Sequence, residues 1–210
     1  NSLILAALSS LIATVIGTAA AEGIYKMKSK LAKAAITSVT NIPMMNPDIV
    51  TGVSMMLLFV AASSLSFLPI KFGMGTMLIA HTTFNLPYVI LSVLPRFKQM
   101  DKHLTEAALD LGCTPALSFF KVELPSIMPG VISGLMLGFT LSLDDFVISY
   151  FTTGNDFQTL PLLIYSMTKK EVKPDIYALS TLMIVAVTVL LLLSNISSKD
   201  KTMNKMVDRK

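Results

Sequence analysis

The sequence predicts an all-α fold: a polytopic membrane helical bundle with five transmembrane helices. Of its 210 residues, 53% are hydrophobic and only 14% are charged, whereas soluble domains carry about 25% charged residues. The charges are also segregated, because five long stretches contain no Asp, Glu, Lys or Arg: 3–21, 49–70, 72–95, 125–143 and 176–198. Crossing about 30 Å of hydrocarbon takes roughly 20 mostly apolar residues, and all five stretches meet this requirement. Helices buried in a soluble protein keep polar faces for water, which this composition does not supply.

The five predicted spans follow one another along nearly the whole chain. They cover about 2–22, 36–66, 72–95, 126–152 and 175–197. The second is longer than a bilayer requires, so we expect its first turns to lie among the lipid headgroups. The transmembrane domain is therefore predicted to occupy residues 1–198, followed by a basic cytoplasmic tail at 199–210.

The distribution of basic residues orients these spans. If the segment after the first span is cytoplasmic, the cytoplasmic segments hold thirteen of the 17 Lys and Arg residues. Cytoplasmic loops carry such an excess of Lys and Arg, so this orientation is favoured. It places Asn1 outside and Lys210 inside, and it predicts a further helix before Asn1. The net charge of +4 then reflects topology, and we expect no nucleic-acid partner.

The longest predicted cytoplasmic loop, about 96–124, contains a candidate amphipathic helix. Asp101 is placed to cap its start, and Gly112 and Pro115 are placed to end it. Its apolar face consists of residues at helical spacing: Leu104, Ala107, Ala108 and Leu111. On these features alone, the helix either anchors the loop at the membrane interface or offers its small residues to another protein.

The spacing in this loop resembles the signature of the ATP-binding cassette (ABC) importer permeases. That signature reads Glu-Ala-Ala, three residues, Gly, nine residues, Ile, one residue, Leu-Pro. This chain matches it with Val122 in place of Ile: Glu106, Ala107, Ala108, Gly112, Val122, Leu124 and Pro125. The segments MMNPDIVTGVS, FTLSLDDFVISYFTTG and LPLLIYSM further resemble the spermidine/putrescine permeases, in particular their C-type subunit.

This resemblance implies a fold, a role and a set of partners. The fold is the helical bundle of type I ABC importer permeases, in a bacterial cell membrane. The loop helix is implied to be a coupling helix that docks on an ATPase, through Glu106, Ala107, Ala108, Leu111, Gly112, Leu124 and Pro125. The implied partners are a second permease, two cytoplasmic ATPase subunits, and an extracellular or periplasmic substrate-binding protein.

Several motifs of catalysis and cofactor binding are absent from the sequence. It has no GxxxxGK[ST] loop, so ATP and Mg²⁺ are expected on the ATPase partner and not on this chain. It has no HExxH motif and a single cysteine, Cys113, so we expect neither a metal site nor an internal disulfide. We therefore expect a transport subunit and not an enzyme.

Acidic residues within the predicted spans are candidates for a substrate pathway. A charge in the bilayer costs about 2.5–3.5 kcal/mol on insertion scales, so such residues are usually functional or paired. Asp48 lies in NPDIV, where Pro47 is expected to kink the second span. On one continuous helix, Asn41 and Gly52 would share the face of Asp48.

The fourth span carries two adjacent carboxylates, Asp144 and Asp145. Asp144 is expected to face the pathway. Asp145 lies about 100° around the helix, where it would serve packing or pairing. Its face continues a ladder suited to close helix contact, formed by Gly130, Gly134 and Gly138.

A polyamine pathway would combine these carboxylates with aromatic faces at Phe146 and Tyr150, because cation–π contacts contribute about 0.5–2 kcal/mol each. Alternatively, the carboxylates bond backbone at helix breaks or pair with a partner subunit. The third span carries a polar stripe of His81, Asn85, Tyr88 and Ser92 that could also line the path, although His81 by itself is expected to serve packing. Three alternatives also remain: an importer permease for another organic cation, thiamine or ferric iron, a secondary transporter or channel independent of an ATPase, or a purely structural membrane subunit.

Overall fold

The computed structural model describes residues 1–65, 70–154, 157–168, 177–178 and 180–189, and the regular structure in these residues is helical. The elements are α1 (Ser2–Lys26), α2 (Lys30–Met45), α3 (Asp48–Leu65), α4 (Met74–Gln99), α5 (Lys102–Asp110), α6 (Pro115–Ser118), a π-helix (Phe119–Glu123), α7 (Leu124–Asp144), α8 (Val147–Thr152) and α9 (Leu160–Thr168). The predicted all-α class is thus confirmed for the described part of the chain.

Three described helices are long and apolar enough to cross a bilayer: α1, α4 and the continuous run Pro115–Asp144. The number rises to four if α2 and α3, which are bent against each other, form one broken span. The predicted count of five is therefore not confirmed. Of the fifth predicted span, 175–197, the structure describes an apolar helix at Ser180–Val189, while the predicted tail at 199–210 lies outside the described residues.

The second predicted span, 36–66, is two helices and not one. α2 ends at Met45, α3 begins at Asp48, and the two helices are bent by 105°. Pro47 lacks a backbone N–H and disfavours helical geometry in the residue before it, and Asn46 is accordingly extended. The kink predicted at Pro47 is confirmed, and the structure shows that it separates two helices. The prediction that Asn41, Asp48 and Gly52 share one helix face is wrong, because Asn41 lies on α2 and the other two residues lie on α3.

The fourth predicted span, 126–152, also has different bounds. The helical run begins at Pro115 and ends at Asp144, and Asp145 is extended with ψ 123°. The short helix α8 then starts separately at Val147. Asp144 and Asp145 therefore flank a helix end, and they do not lie on the two faces of one continuous helix.

The centre of the first compact unit, Asn1–Thr159, is a bundle in which α1, α4 and α7 pack on one another. Close approach depends on glycine, as the sequence predicts. A Cβ on Gly134 would lie 3.3 Å from Val89 Cα, and one on Gly138 would lie 3.4 Å from Asn85 Cγ. In lipid, helix association relies on such tight packing, because lipid tails are as apolar as leucine.

Contacts at one end of the bundle fix the helix directions. Tyr25 near the end of α1 stacks on Phe97 near the end of α4, with ring centroids 5.4 Å apart. Lys26 meets Glu123, the residue before α7. α1 and α4 are therefore parallel and α7 is antiparallel to both, so the segments after α1 and after α4 lie at the same end. This agrees with the predicted topology, which places both segments in the cytoplasm.

A second compact unit comprises Leu160–Lys210. Its described helices are α9 and Ser180–Val189.

Candidate functional site

The predicted loop helix is α5, and its start is capped as the sequence indicates. The carboxylate of Asp101 accepts a hydrogen bond of 3.0 Å from the backbone N–H of His103. A carboxylate at this position satisfies a backbone donor that has no partner within the helix. On the exposed side of the first turn, His103 Nδ1 lies 3.1 Å from Glu106 Oε2.

The end of α5 is set by Gly112, which has a φ of +85°. This left-handed conformation strains residues with a Cβ, and glycine adopts it freely. The N–H groups of Gly112 and Cys113 donate to the carbonyls of Leu109 and Ala108, at 2.9 and 3.0 Å. The chain therefore turns within a few residues and enters α6 at Pro115, which leaves α5 as a short helix from Lys102 to Asp110.

The two sides of α5 differ in exposure. Ala108 is buried and faces the rest of the unit, whereas Leu104 is 47% exposed and Leu111 is 86% exposed. Ala107 and Glu106 are exposed as well. Four residues predicted for ATPase coupling thus lie on the open side or end of the helix: Glu106, Ala107, Leu111 and Gly112.

The remaining coupling candidates occupy other positions. Ala108 packs inward. Leu124 is partly buried against the core of α1, α4 and α7, and Pro125 stands in the first turn of α7, where its missing N–H costs no hydrogen bond. Ala108 and Leu124 help to position α5 and the start of α7, whereas Pro125 is exposed.

The structure brings the three acidic pathway candidates together. Asp48 is the first residue of α3, Asp144 is the last residue of α7, and Asp145 lies in the break before α8. Asp48 is close enough to both other carboxylates to interact with them electrostatically. Gly52 lets α3 pack closely on α8 here. An added Cβ on Gly52 would lie 2.9 Å from the ring of Phe151. Small residues at such contacts let two helices approach closely.

Asp145 differs from the other two acids in its surroundings. Its carboxylate accepts hydrogen bonds from the N–H groups of Ile148 at 3.3 Å and Ser149 at 2.8 Å. His81 Nε2 lies 3.5 Å from Oδ2 and 3.0 Å from the hydroxyl of Ser149. The Asp145 side chain is only 7% exposed, so it caps α8 and joins α8 to α4. Asp48 and Asp144 are exposed, and their carboxylates are open to a ligand.

The aromatic candidates line α8 beside the acids. The rings of Phe146 and Tyr150 are 5.6 Å apart, and Tyr150 and Phe151 are 5.4 Å apart with perpendicular planes. Tyr150 is 49% exposed, so a face of this cluster is accessible. On α4, Tyr88 lies within electrostatic reach of Asp48. The site therefore combines two exposed carboxylates with an accessible aromatic ring.

Two polar groups that sequence reasoning missed organise the bundle. Ser142 contacts both Ser9 and Asn85 in the interior, and Glu123 is buried at the end that carries α5. Serine is common in membrane helices, and a glutamate two residues after Lys121 looks like a surface residue. No local pattern distinguishes either residue, because their partners are distant in sequence.

Comparisons with known proteins identify the family. A family model described as "Binding-protein-dependent transport system inner membrane component" matches residues 13–199. The "Spermidine/putrescine transport system permease protein PotC" of Escherichia coli K12 is 38% identical over 210 residues, which is 100% of this chain and 77% of the relative. The "Putrescine transport system permease protein PotI" of the same organism is 41% identical over 186 residues, covering 89% of this chain and 66% of the relative.

A solved structure is similar in fold. It is described as "Inward facing conformations of the MetNI methionine ABC transporter" and superimposes with a TM-score of 0.72 at 17% identity, covering 92% of this chain and 89% of the other. The fold predicted from the signature is thereby supported, and the family description confirms a location in the inner membrane. The chain belongs to the family of binding-protein-dependent transport system inner membrane components.

Proposed function

We propose that this chain is the permease subunit of an ATP-driven importer for polyamines such as spermidine or putrescine. The observation that carries this proposal is the meeting of Asp48, Asp144 and Asp145 at the break between α7 and α8, beside the aromatic residues of α8. The names of the similar permeases point to the same class of substrate.

The chemistry of the site suits an extended cation with several ammonium groups. Asp48 and Asp144 are exposed and would neutralise ammonium groups, while the accessible ring of Tyr150 would contribute about 0.5–2 kcal/mol through a cation–π contact. Asp145 would add negative potential while it caps α8. Several moderate contacts fit a transport path, because a substrate that binds too tightly does not leave.

ATP hydrolysis is assigned to a separate subunit that would bind α5. The exposed residues of the helix include Leu104, Ala107 and Leu111 beside the charged Glu106, and Gly112 allows the tight turn behind it. A rigid helix held in a groove would move the spanning helices attached to it as a unit. A second permease, two ATPase subunits and a substrate-binding protein would complete an importer that works by alternating access.

The direct test is reconstitution of the chain with these partners in proteoliposomes. ATP hydrolysis is measured while spermidine, putrescine, thiamine or ferric iron is added with the binding protein. We expect stimulation by a polyamine. Stimulation by thiamine or ferric iron alone would contradict the substrate, and uptake that follows a proton or sodium gradient without any ATPase would contradict the mechanism.

The carboxylates are tested in the same vesicles by radiolabelled uptake. Asp48→Asn and Asp144→Asn should each lower uptake by about 10- to 100-fold, since a hydrogen bond to a charged group contributes about 1.5–3 kcal/mol. The matched controls Asp48→Glu and Asp144→Glu keep the charge and should retain most of the uptake. Equal uptake by the Asn and Glu variants would remove both residues from the pathway.

A further inference from the structure

The carboxylate of Glu123 joins three elements at the end of the bundle that carries α5. Its side chain is only 2% exposed, and it belongs to the π-helix that leads directly into α7. Oε2 lies 3.3 Å from Nζ of Lys26, the last residue of α1. Oε1 accepts a long hydrogen bond of 3.4 Å from the hydroxyl of Thr105 on α5. One side chain thus connects α1, α5 and α7.

Stability alone does not account for a charge in this position. Burying a carboxylate is unfavourable, and a buried ion pair often contributes no more than apolar residues of the same size would. Lys26 also has a second partner within its own helix, since Nζ lies 2.5 Å from Glu22 Oε1. The lysine is therefore already paired, and Glu123 adds a connection between helices.

The local backbone also favours a mechanical role. Glu123 is the last residue of a π-helix, a rare element that often marks functional positions within longer helices. α5 packs on α6 and on this π-helix, and Ala108 of α5 is buried. A displacement of α5 must therefore either carry the start of α7 and the end of α1 with it or break the contacts at Glu123.

We propose that Glu123 is a positioning residue that couples α5 to α1 and α7, so that movement imposed on α5 reaches two spanning helices together. This inference rests on the proposed role of α5 as the docking helix for an ATPase. Lys26 holds the carboxylate towards α1, and Thr105 connects it to α5. Loss of these contacts uncouples ATP hydrolysis from transport while the subunits stay assembled.

The test uses the complete transporter in proteoliposomes and measures substrate transported per ATP hydrolysed. The main variant combines Glu123→Gln with Lys26→Met, because removing both charges avoids the uncompensated buried charge that a single substitution would leave. We expect unchanged assembly with the ATPase and unchanged thermal stability. The transport ratio should fall by about 2- to 30-fold, the range expected when a residue linking two coupled sites is altered.

Three further variants separate coupling from folding. Thr105→Val removes only the hydroxyl and should lower the ratio in the same direction, and Thr105→Ser should restore it. Glu22→Gln is the matched control, because it removes the other partner of Lys26 without touching Glu123, and it should keep the wild-type ratio.

The outcomes distinguish this inference from the function it rests on. A wild-type chain that binds no ATPase overturns the proposed function and this inference with it. This inference alone is overturned if the wild-type chain transports and two variants keep its ratio of substrate transported to ATP hydrolysed. These are the double variant Glu123→Gln with Lys26→Met, and Thr105→Val.

Discussion

The side-chain amide of Asn85 donates a hydrogen bond of 2.7 Å to the hydroxyl of Ser142. The same hydroxyl lies 3.0 Å from that of Ser9, and all three residues are buried. Because Ser9, Asn85 and Ser142 lie on α1, α4 and α7, this hydrogen-bonded group connects the three central helices. Apolar packing gives helices in lipid little orientation specificity, so polar links of this kind help to fix their rotation.

Ser142→Ala is predicted to destabilise the bundle by about 1–2 kcal/mol, the upper range for hydrogen bonds between membrane helices. The substitution leaves the Asn85 amide and the Ser9 hydroxyl without their shared partner. The measurement is the thermal unfolding of the purified chain in detergent. Ser133→Ala is the control, since Ser133 is exposed and its hydroxyl donates to the carbonyl of Pro129 one turn earlier in the same helix. Equal stability of the two variants would show that the link between helices contributes nothing.

Gly130→Ala is predicted to destabilise the packing of α7 on α4 by about 1–3 kcal/mol, as overpacking of a close contact does. The added Cβ would lie 2.8 Å from the backbone oxygen of Ser92 and 2.6 Å from Arg96 Cγ. The arginine side chain can move, but the backbone oxygen is fixed within α4.

The matched control for Gly130 is Gly23→Ala. Gly23 lies on α1, and a Cβ there meets nothing within 4 Å. Alanine in a helix is favoured over glycine by about 1 kcal/mol, so this variant should be as stable as the wild type or more stable. Thermal unfolding of both proteins in detergent checks the pair, and the prediction fails if Gly130→Ala is as stable as Gly23→Ala.

The features that the sequence predicts well depend on neighbouring residues. The start of α5 at Asp101 and its end at Gly112 can be predicted from the sequence. Helix capping and a left-handed backbone are properties of single residues and the turns beside them. The break at Pro47 follows from a missing N–H. The ladder of Gly130, Gly134 and Gly138 follows from helical spacing, which brings small residues to one face.

The features that the sequence does not predict depend on partners far along the chain. Asp145 ends the fourth span because its carboxylate caps α8 beside His81 of α4, whereas the apolar residues that follow it suggest a continuing helix. Glu123 is separated from Lys26 by almost a hundred residues. The sequence groups Asn41 with Asp48 because hydropathy does not reveal the 105° bend between α2 and α3.

Asp145→Ala is predicted to destabilise the chain by about 0.5–2 kcal/mol, the usual cost of losing a helix cap. It removes the acceptor for the N–H groups of Ile148 and Ser149. Asp145→Asn keeps one side-chain oxygen and should cost less. Thermal unfolding in detergent gives the order of stability.

The neighbouring Asp144 provides the comparison for Asp145. Asp144 is exposed at the end of α7, so Asp144→Ala should change stability by no more than about 0.5 kcal/mol, as for most surface substitutions. It should nevertheless lower polyamine uptake. If Asp144→Ala destabilised the chain as much as Asp145→Ala, the division between a capping carboxylate and a ligand-facing carboxylate would be wrong.

Gly112→Ala is predicted to lower transport by disturbing the turn behind α5. A residue with a Cβ pays about 1–2 kcal/mol to adopt the left-handed conformation, and Gly112 has a φ of +85° with no atom within 4 Å of an added Cβ. The cost is therefore one of backbone conformation and not of space. A strained backbone at residue 112 would change the orientation of α5, because the turn hydrogen bonds of Gly112 and Cys113 hold the end of that helix.

Gly112→Asn separates the effect of backbone conformation from the effect of side-chain size. Asparagine is larger than alanine yet tolerates the left-handed conformation better than most residues. Gly112→Asn should therefore transport more than Gly112→Ala, although its side chain is bigger. Binding of the ATPase to each variant, measured by co-purification, and polyamine uptake in proteoliposomes should follow the same order. The reverse order, with asparagine worse than alanine, would mean that contact between residue 112 and the ATPase surface limits transport and that the backbone conformation does not.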